Sequence, residues 1–422
     1  MSQAVPTEHS PFSRAYAVLL PVVFAITFLK GFRLPSSWCA THFAFNYSQG
    51  FVRRGLVGEI ARQLFGDDVF KYRNFVFLAY SMWLVVGALL GLLIVRALRS
   101  APKDWGLKCA LLVFAASPAL LFFVHAVGYF DYIGVALVIG FGLLAPRIRP
   151  SFALPPIVLA LGTLLLFIHE GLIVMFGPTL VFVVVCHVAR AAREKPLPKW
   201  AWVVLGAEVV LCTLPLLCIA VWLSTTGMGD APRVQALSEF MARHADFGIR
   251  GDAVETLTRS SAVNFKQIVP WYWAQPTSRE YAARDLSSIL PGMALVATYG
   301  CLAIRRLALG RWLGWLVLVA FVLAMFSAEL MNFVGWDWPR WNGVALVNGV
   351  VCILLVKLAL PTDVANESGA RFVMPAAVCT AIALASTSFL FDDYKVQYYP
   401  FDSQFELMHQ MFKSDFKLHP RN

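Results

Sequence analysis

Long apolar runs separated by short polar stretches limit what this chain can fold into more than any other feature. The runs are about 17 to 24 residues long, the length an α-helix needs to cross about 30 Å of hydrocarbon at 1.5 Å per residue. Spans are predicted at roughly 12–30, 74–95, 107–127, 132–146, 152–168, 171–189, 200–223, 287–304, 312–334, 343–360 and 372–390. The apolar stretch from Phe152 to Val188 is too long for one helix, and His169-Glu170-Gly171 is its polar break, so a tight turn is expected there. The fold class expected is an all-α polytopic membrane protein of about 11 transmembrane helices. Residues 1–390 form one transmembrane domain with outer loops at 31–73 and 225–286, and 391–422 form an outer tail. Composition agrees: 59% of residues are hydrophobic and 14% charged, where a soluble domain carries roughly a quarter charged.

Charge orients the map. Lys and Arg accumulate on the cytoplasmic side of short loops. The loops after spans two, four, six and eight carry Arg96, Arg99, Lys103 and Lys108, then Arg147 and Arg149, then Arg190, Arg193, Lys195 and Lys199, and finally Arg305, Arg306 and Arg311. With eleven spans these share one face, which places the N-terminus in the cytoplasm and the C-terminus outside. The expected location is a bacterial inner membrane. The net charge of +10 is read as loop charge facing membrane lipids, and no nucleic-acid partner is expected. Seven of the eight cysteines fall in apolar runs and only Cys39 lies in a loop, so neither disulfides nor a cysteine-based zinc site is indicated. The chain has no P-loop, dinucleotide fingerprint or G-x-S-x-G motif, and His169-Glu170-Gly171 lacks the second histidine of a zinc-protease helix because residue 173 is Ile. No metal ligands and no cofactor are evident, although Mg2+ or Mn2+ fits the chemistry considered below. The sequence assigns no oligomeric state.

The unusual polar residues gather on the other face. In the first outer loop, a helix started after Gly50 aligns Val52, Leu56, Val57, Ile60 and Leu64 in one stripe, as in an amphipathic helix lying in the interface. Arg54 and Arg62 project from the opposite side, while Arg53 falls in the stripe. A buried guanidinium needs an anion, either a carboxylate from another loop or a phosphate. The alternative is that these arginines snorkel to headgroups. Between spans nine and ten, "GWDWPRW" places Trp336, Trp338 and Trp341 as interface anchors or sugar-stacking rings. It also places Asp337 and Arg340 as an ion pair or as a carboxylate poised over a cavity. His169 and Glu170 are candidates for acid–base work or for satisfying the turn. Asp131 is a candidate N-cap or catalytic carboxylate, and Glu59 a further candidate base. "VPWYWAQP" (Val269 to Pro276) adds an aromatic outer segment, and short helices are expected at Val234 to Met241 and Asp252 to Thr258.

This layout resembles the GT-C class of membrane glycosyltransferases, which take sugars from polyprenyl-phosphate carriers. The resemblance covers roughly residues 12–390 and is one of plan. It departs at "KGFRLPSSWCATHF", which has His42 but no acidic residue before Glu59. It implies a glycosyltransferase, or a polysaccharide polymerase or ligase, acting at the outer face on a lipid-linked sugar donor and a glycan acceptor. Arg53, Arg54 and Arg340 would then hold phosphate, and Asp337, Glu59 or Glu170 would take the acceptor proton. Two other classes stay open. A transporter or flippase predicts a through-going polar path, and a non-catalytic envelope assembly protein predicts that Asp131, Glu170 and Asp337 lie far apart.

Overall fold

The computed structural model describes residues 11–148, 153–194, 198–225, 230–333, 335, 337–360 and 373–380, with short pieces of the tail between 390 and 414. The described residues are helical throughout, apart from loops and a tail hairpin of two antiparallel three-residue strands, β1 (Leu390–Asp392) and β2 (Lys395–Gln397). In chain order the first helices are α1 (Pro11–Gly31), α2 (Ser37–Ala44), α3 (Leu56–Phe65), α4 (Tyr72–Ser100), α5 (Trp105–Ala116), α6 (Pro118–His125), α7 (Asp131–Leu144), α8 (Leu154–Ile168) and α9 (Glu170–Glu194). Then follow α10 (Lys199–Thr225), α11 (Ala231–His244), α12 (Gly251–Glu255), α13 (Ser261–Val263), α14 (Val269–Ala274), α15 (Pro276–Arg305), α16 (Arg311–Phe326) and α17 (Trp338–Ala359).

Several boundaries follow from capping chemistry. Side chains of Ser36, Asp104 and Ser117 accept from the Cys39, Leu107 and Leu120 amides at the starts of α2, α5 and α6, which satisfies donors that have no partner within the helix. Pro118 cannot donate to the preceding turn, so the expected third span breaks into α5 and α6, bent by 51°. His169 is extended (φ −167°, ψ 122°), and the helix restarts at Glu170; the expected turn is there.

Six helices among the described residues are long and apolar enough to cross a membrane, seven if the bent α5–α6 pair is one span. The count of eleven is finer than these lengths carry. Helix α7 has 14 residues and α8 has 15, about 21–23 Å each, short of a full bilayer. The expected eleventh span lies largely outside the described residues. Helices α9 and α17 are largely buried, while α4, α10 and α16 turn much of their surface outward. Exposed Val18 and Leu29 on α1, Phe77 and Leu84 on α4, Leu211 and Leu217 on α10 and Val319 and Leu323 on α16 form apolar surface of a kind that water-soluble monomers rarely carry in contiguous patches. The chain is a helical membrane-embedded protein. Between helices, the Ser327 hydroxyl and the Asn348 amide both donate to the Met175 carbonyl at 2.8 Å, tying the end of α16 and the middle of α17 to α9.

Candidate functional site

Three helix starts meet at one end of the bundle. Asp131 and Glu170 open α7 and α9, and Asp337 is the residue before α17. Carboxylates are favoured where helix dipoles point their positive ends. Asp131 is therefore the first helical residue; Phe130 occupies the N-cap position, and the capping role open to Asp131 is not the one it takes. Two guanidinium-bearing segments complete the arrangement.

The first is the turn before α3. The helix begins at Leu56, later than the stripe suggested, and Arg53 and Arg54 precede it. Arg54 adopts φ +64°, a left-handed conformation that costs a non-glycine residue about 1–2 kcal/mol. This reverses the expected orientation: Arg54 turns inward, and both arginines reach Glu170. Arg54 Nε donates to Glu170 Oε2 at 2.9 Å and its second nitrogen donates to Oε1, a fork-to-fork pair. Arg53 Nη1 lies 3.4 Å from the same carboxylate, while Nη2 donates to the Thr256 and Arg259 carbonyls just after α12. Burial draws the Arg53 guanidinium down to about 10 and Glu170 opposes this, so it stays charged at neutral pH. Gly58 seats α3 on α2: a Cβ there would stand 2.0 Å from the Phe45 carbonyl oxygen.

The second is Arg340 on the first turn of α17. Nη1 lies 2.8 Å from Asp337 Oδ2, the ion pair expected from the spacing, and Nε lies 3.1 Å from Asp131 Oδ2. The latter pair is close in distance but misaligned, and neither Arg340 Nε nor Asp131 Oδ2 has a hydrogen bond among the described residues although both are buried. The guanidinium also covers the Tyr129 ring, 4.5 Å from its centroid. Two carboxylates against one arginine make this cluster net negative; two arginines against Glu170 make the first net positive.

A small, partly open cavity of about 20 Å³, room for a water or two, lies against the second cluster and the turn at His169. Its lining includes Trp38, His42, Tyr129, Asp131, His169 and Arg340. Arg53, Glu170 and Asp337 are not in the lining: Glu170 pairs with Arg53 and Arg54, and Asp337 with Arg340. Gly128 in the lining has φ +93°, and a Cβ would press on Phe75 and Pro35. His169 Nδ1 accepts the Gly171 amide at 3.0 Å, so in the neutral ring the proton sits on Nε2. Burial, reinforced by the Arg54 charge, depresses His169 to about 3, and burial holds His42 well below the usual histidine range. Both are neutral at pH 7.

The remaining expected residues lie apart from this wall. Glu59 accepts from Arg62 Nε at 3.1 Å, Gln63 at 2.7 Å and the Tyr47 amide at 3.1 Å, and the Arg62 bonds above all lower it to about 2. Trp338 and Trp341 are buried; Trp338 stacks on Trp273 of α14 with centroids 4.2 Å apart, and Trp341 packs on Arg340. Trp336 lies outside the described residues. Trp38 and Tyr129 were missed, and His42 was noticed only as a departure from the GT-C plan. Its position one turn after Trp38 was the available signal. Among the described residues no three His, Cys, Asp or Glu side chains gather to hold a metal ion. The chain's class is therefore a helical membrane protein with two buried charged clusters at one end of its bundle. No known family, curated protein or solved structure matches it.

Proposed function

We propose that the protein is a membrane glycosyltransferase acting on a lipid-linked sugar at the face that the loop charges assign to the outside. The observation that carries this reading is the opposite formal charge of two clusters that both lie near His169, which lines the cavity. Arg53 and Arg54 hold the lipid phosphate, whose oxygens replace the two main-chain carbonyls that Arg53 now engages. Asp131, whose carboxyl burial raises above the usual carboxylate range while Arg340 opposes this, accepts the proton of the acceptor hydroxyl. The bond from the sugar's anomeric carbon to the phosphate oxygen breaks, the bond to the acceptor oxygen forms, and the lipid phosphate departs against the arginines. Arg340 orients Asp131, and Asp337 secures Arg340. Glu59 and Glu170 are less suited to the base role because each is already bound by arginine. A scaffold reading expects Asp131, Glu170 and Asp337 far apart, whereas Asp131 and Asp337 share Arg340 and His169, next to Glu170, lines the same cavity as Asp131; the far end of α17 is fastened by an ion pair between Lys357 and Asp104 where a transporter needs a path.

Native mass spectrometry of the protein in nanodiscs tests the phosphate site. Polyprenyl phosphate is expected to bind in preference to phosphatidic acid. Arg53→Lys and Arg54→Lys are each expected to weaken it about tenfold, because an ammonium cannot form the two parallel bonds of a guanidinium. Asp131→Asn keeps the lipid and loses transfer. Equal retention of phosphatidic acid and polyprenyl phosphate by the unaltered protein sinks the reading.

A further inference from the structure

A short 3-10 helix, Ser327–Phe333, continues α16 and ends the apolar span that begins at Arg311. It packs on α9 and α17, with Met331 over Gly171, and its Leu330 and Phe333 are exposed on the apolar surface. Glu329 is its one acid. Asn332 Nδ2 donates to Glu329 Oε2 at 2.6 Å. The other oxygen of each side chain, Glu329 Oε1 and Asn332 Oδ1, is buried without a hydrogen bond among the described residues. A carboxylate oxygen and an amide oxygen only accept, so neither can satisfy the other. Among the described residues no basic side chain pairs with Glu329. The charged groups that α9 and α17 bring to this end are Glu170, Arg340 and the preceding Asp337, and they are engaged with Arg53, Arg54, Asp131 and one another. His169, before α9, is neutral. His187, Arg190, Arg193 and Glu194 of α9, Arg311 of α16 and Lys357 of α17 stand toward the opposite ends of their helices.

An unpaired carboxylate on a lipid-facing turn is costly, and a group in such a place takes up a proton instead. One proton also resolves both orphaned oxygens. On Oε1 it turns an acceptor into a donor, and Asn332 Oδ1 is the acceptor left over. The geometry points to Glu329 as a proton-binding site of the folded protein, with Asn332 as the amide that closes a cyclic acid–amide pair around the bound proton. Both oxygens are enclosed, so the site admits a proton and no larger ligand. It lies apart from the arginine clusters, and its fate leaves the lipid-phosphate reading untouched.

The experiment is carbodiimide labelling of the full chain in nanodiscs, read by mass spectrometry of the peptide that holds Glu329. Dicyclohexylcarbodiimide adds across the O–H of a protonated carboxyl in an apolar setting and leaves ionised carboxylates alone. Glu329 is expected to take the label at pH 6.5, where an exposed glutamate keeps its proton less than about one time in a hundred. Glu59 and Glu170, bound by arginine, should stay unlabelled. Glu329→Gln puts an amide N–H where the proton is bound. It should match the melting temperature of the unaltered protein at pH 4 and exceed it by a few degrees at pH 7. The sign follows from linkage: an unfolded glutamate ionises around pH 4.3, the folded one still holds its proton there, and raising the pH then favours the unfolded state of the unaltered chain alone. Should Glu329→Gln not be produced, the labelling decides by itself. The inference is overturned if Glu329 takes no more label than Glu59, or if Glu329→Gln melts at or below the temperature of the unaltered protein at pH 7.

Discussion

Buried charge occurs at both ends of α17, in two forms. At the Lys357 end, Asp104 Oδ2 takes Lys357 Nζ at 2.6 Å and the Tyr299 hydroxyl at 2.8 Å, and Oδ1 caps α5 through the Leu107 amide at 2.9 Å. No polar side-chain atom of this trio is buried without a partner among the described residues. At the Arg340 end, about 25 Å away along the helix axis at 1.5 Å per residue, Arg340 Nε and Asp131 Oδ2 face each other without an aligned hydrogen bond and His42 Nε2 has none among the described residues, beside a cavity. Burial of charge is common to both ends and identifies neither as a site. Incomplete hydrogen bonding around empty space separates them: a saturated cluster fastens helices, whereas an unsaturated one has bonds left for a ligand.

The contrast is sharpest at Glu170. It is the carboxylate partner of two buried guanidiniums, so Glu170→Ala leaves both without a counter-charge and should cost about 3–5 kcal/mol of stability, read as unfolding in detergent. An unchanged unfolding midpoint would mean that the arginines have other anchors, and the two ends would then differ less than stated.

Acid distinguishes the ends next. His169 is depressed to about 3 by burial, against about 6.5 in the unfolded chain. The unfolded state takes its proton first, so the contribution is complete above pH 6.5 and is lost as pH falls toward 3. Between pH 6.5 and 5 its share of the loss should be about 2 kcal/mol, and His169→Gln should remove that share while the buried His42 keeps its own. The trio at the other end contains no histidine, so its variants should leave the slope unchanged. The same change from pH 7 to 5 in His169→Gln as in the unaltered protein would show that His169 is not buried as a neutral ring.

The smallest effect is expected where the cluster is saturated. Asp104→Asn together with Lys357→Met keeps the cap on α5 and removes both charges at once. Replacing a buried pair as a unit is close to neutral, so stability should move by about 1 kcal/mol or less, with polyprenyl-phosphate binding unaltered. A loss of lipid binding in this double variant would join the two ends functionally and break the comparison.

Sequence reached some of this and missed the rest for definable reasons. The position of Arg53 among apolar residues called for an anion, and Glu170, from another loop of the predicted map, supplies one. The spacing of Asp337 and Arg340 gave their ion pair because neighbours three apart across a helix start have few alternatives. Asp131 as a second partner of Arg340 was not legible, since it depends on how α7 packs beside α17. The inward turn of Arg54 was hidden because periodicity presumes helical dihedrals and cannot register a left-handed residue at φ +64°. Span counting could not register the 51° bend at Ser117-Pro118, where a cap and a proline interrupt a continuous apolar run.

The burial of α17 has a consequence for biosynthesis. This helix carries Arg340, Asn342, Asn348 and Lys357, all buried against earlier helices. Its two charged residues stand near its ends, where long basic side chains can reach the interface, so its length and hydropathy suit it to the membrane, while its asparagines and Arg340 find their partners only in the assembled bundle. It leaves the ribosome after α4, α6 and α9 and completes the slot that they form. Chains ending before Trp338 should therefore reach the membrane with an open polar seam, the form that quality-control proteases would meet first.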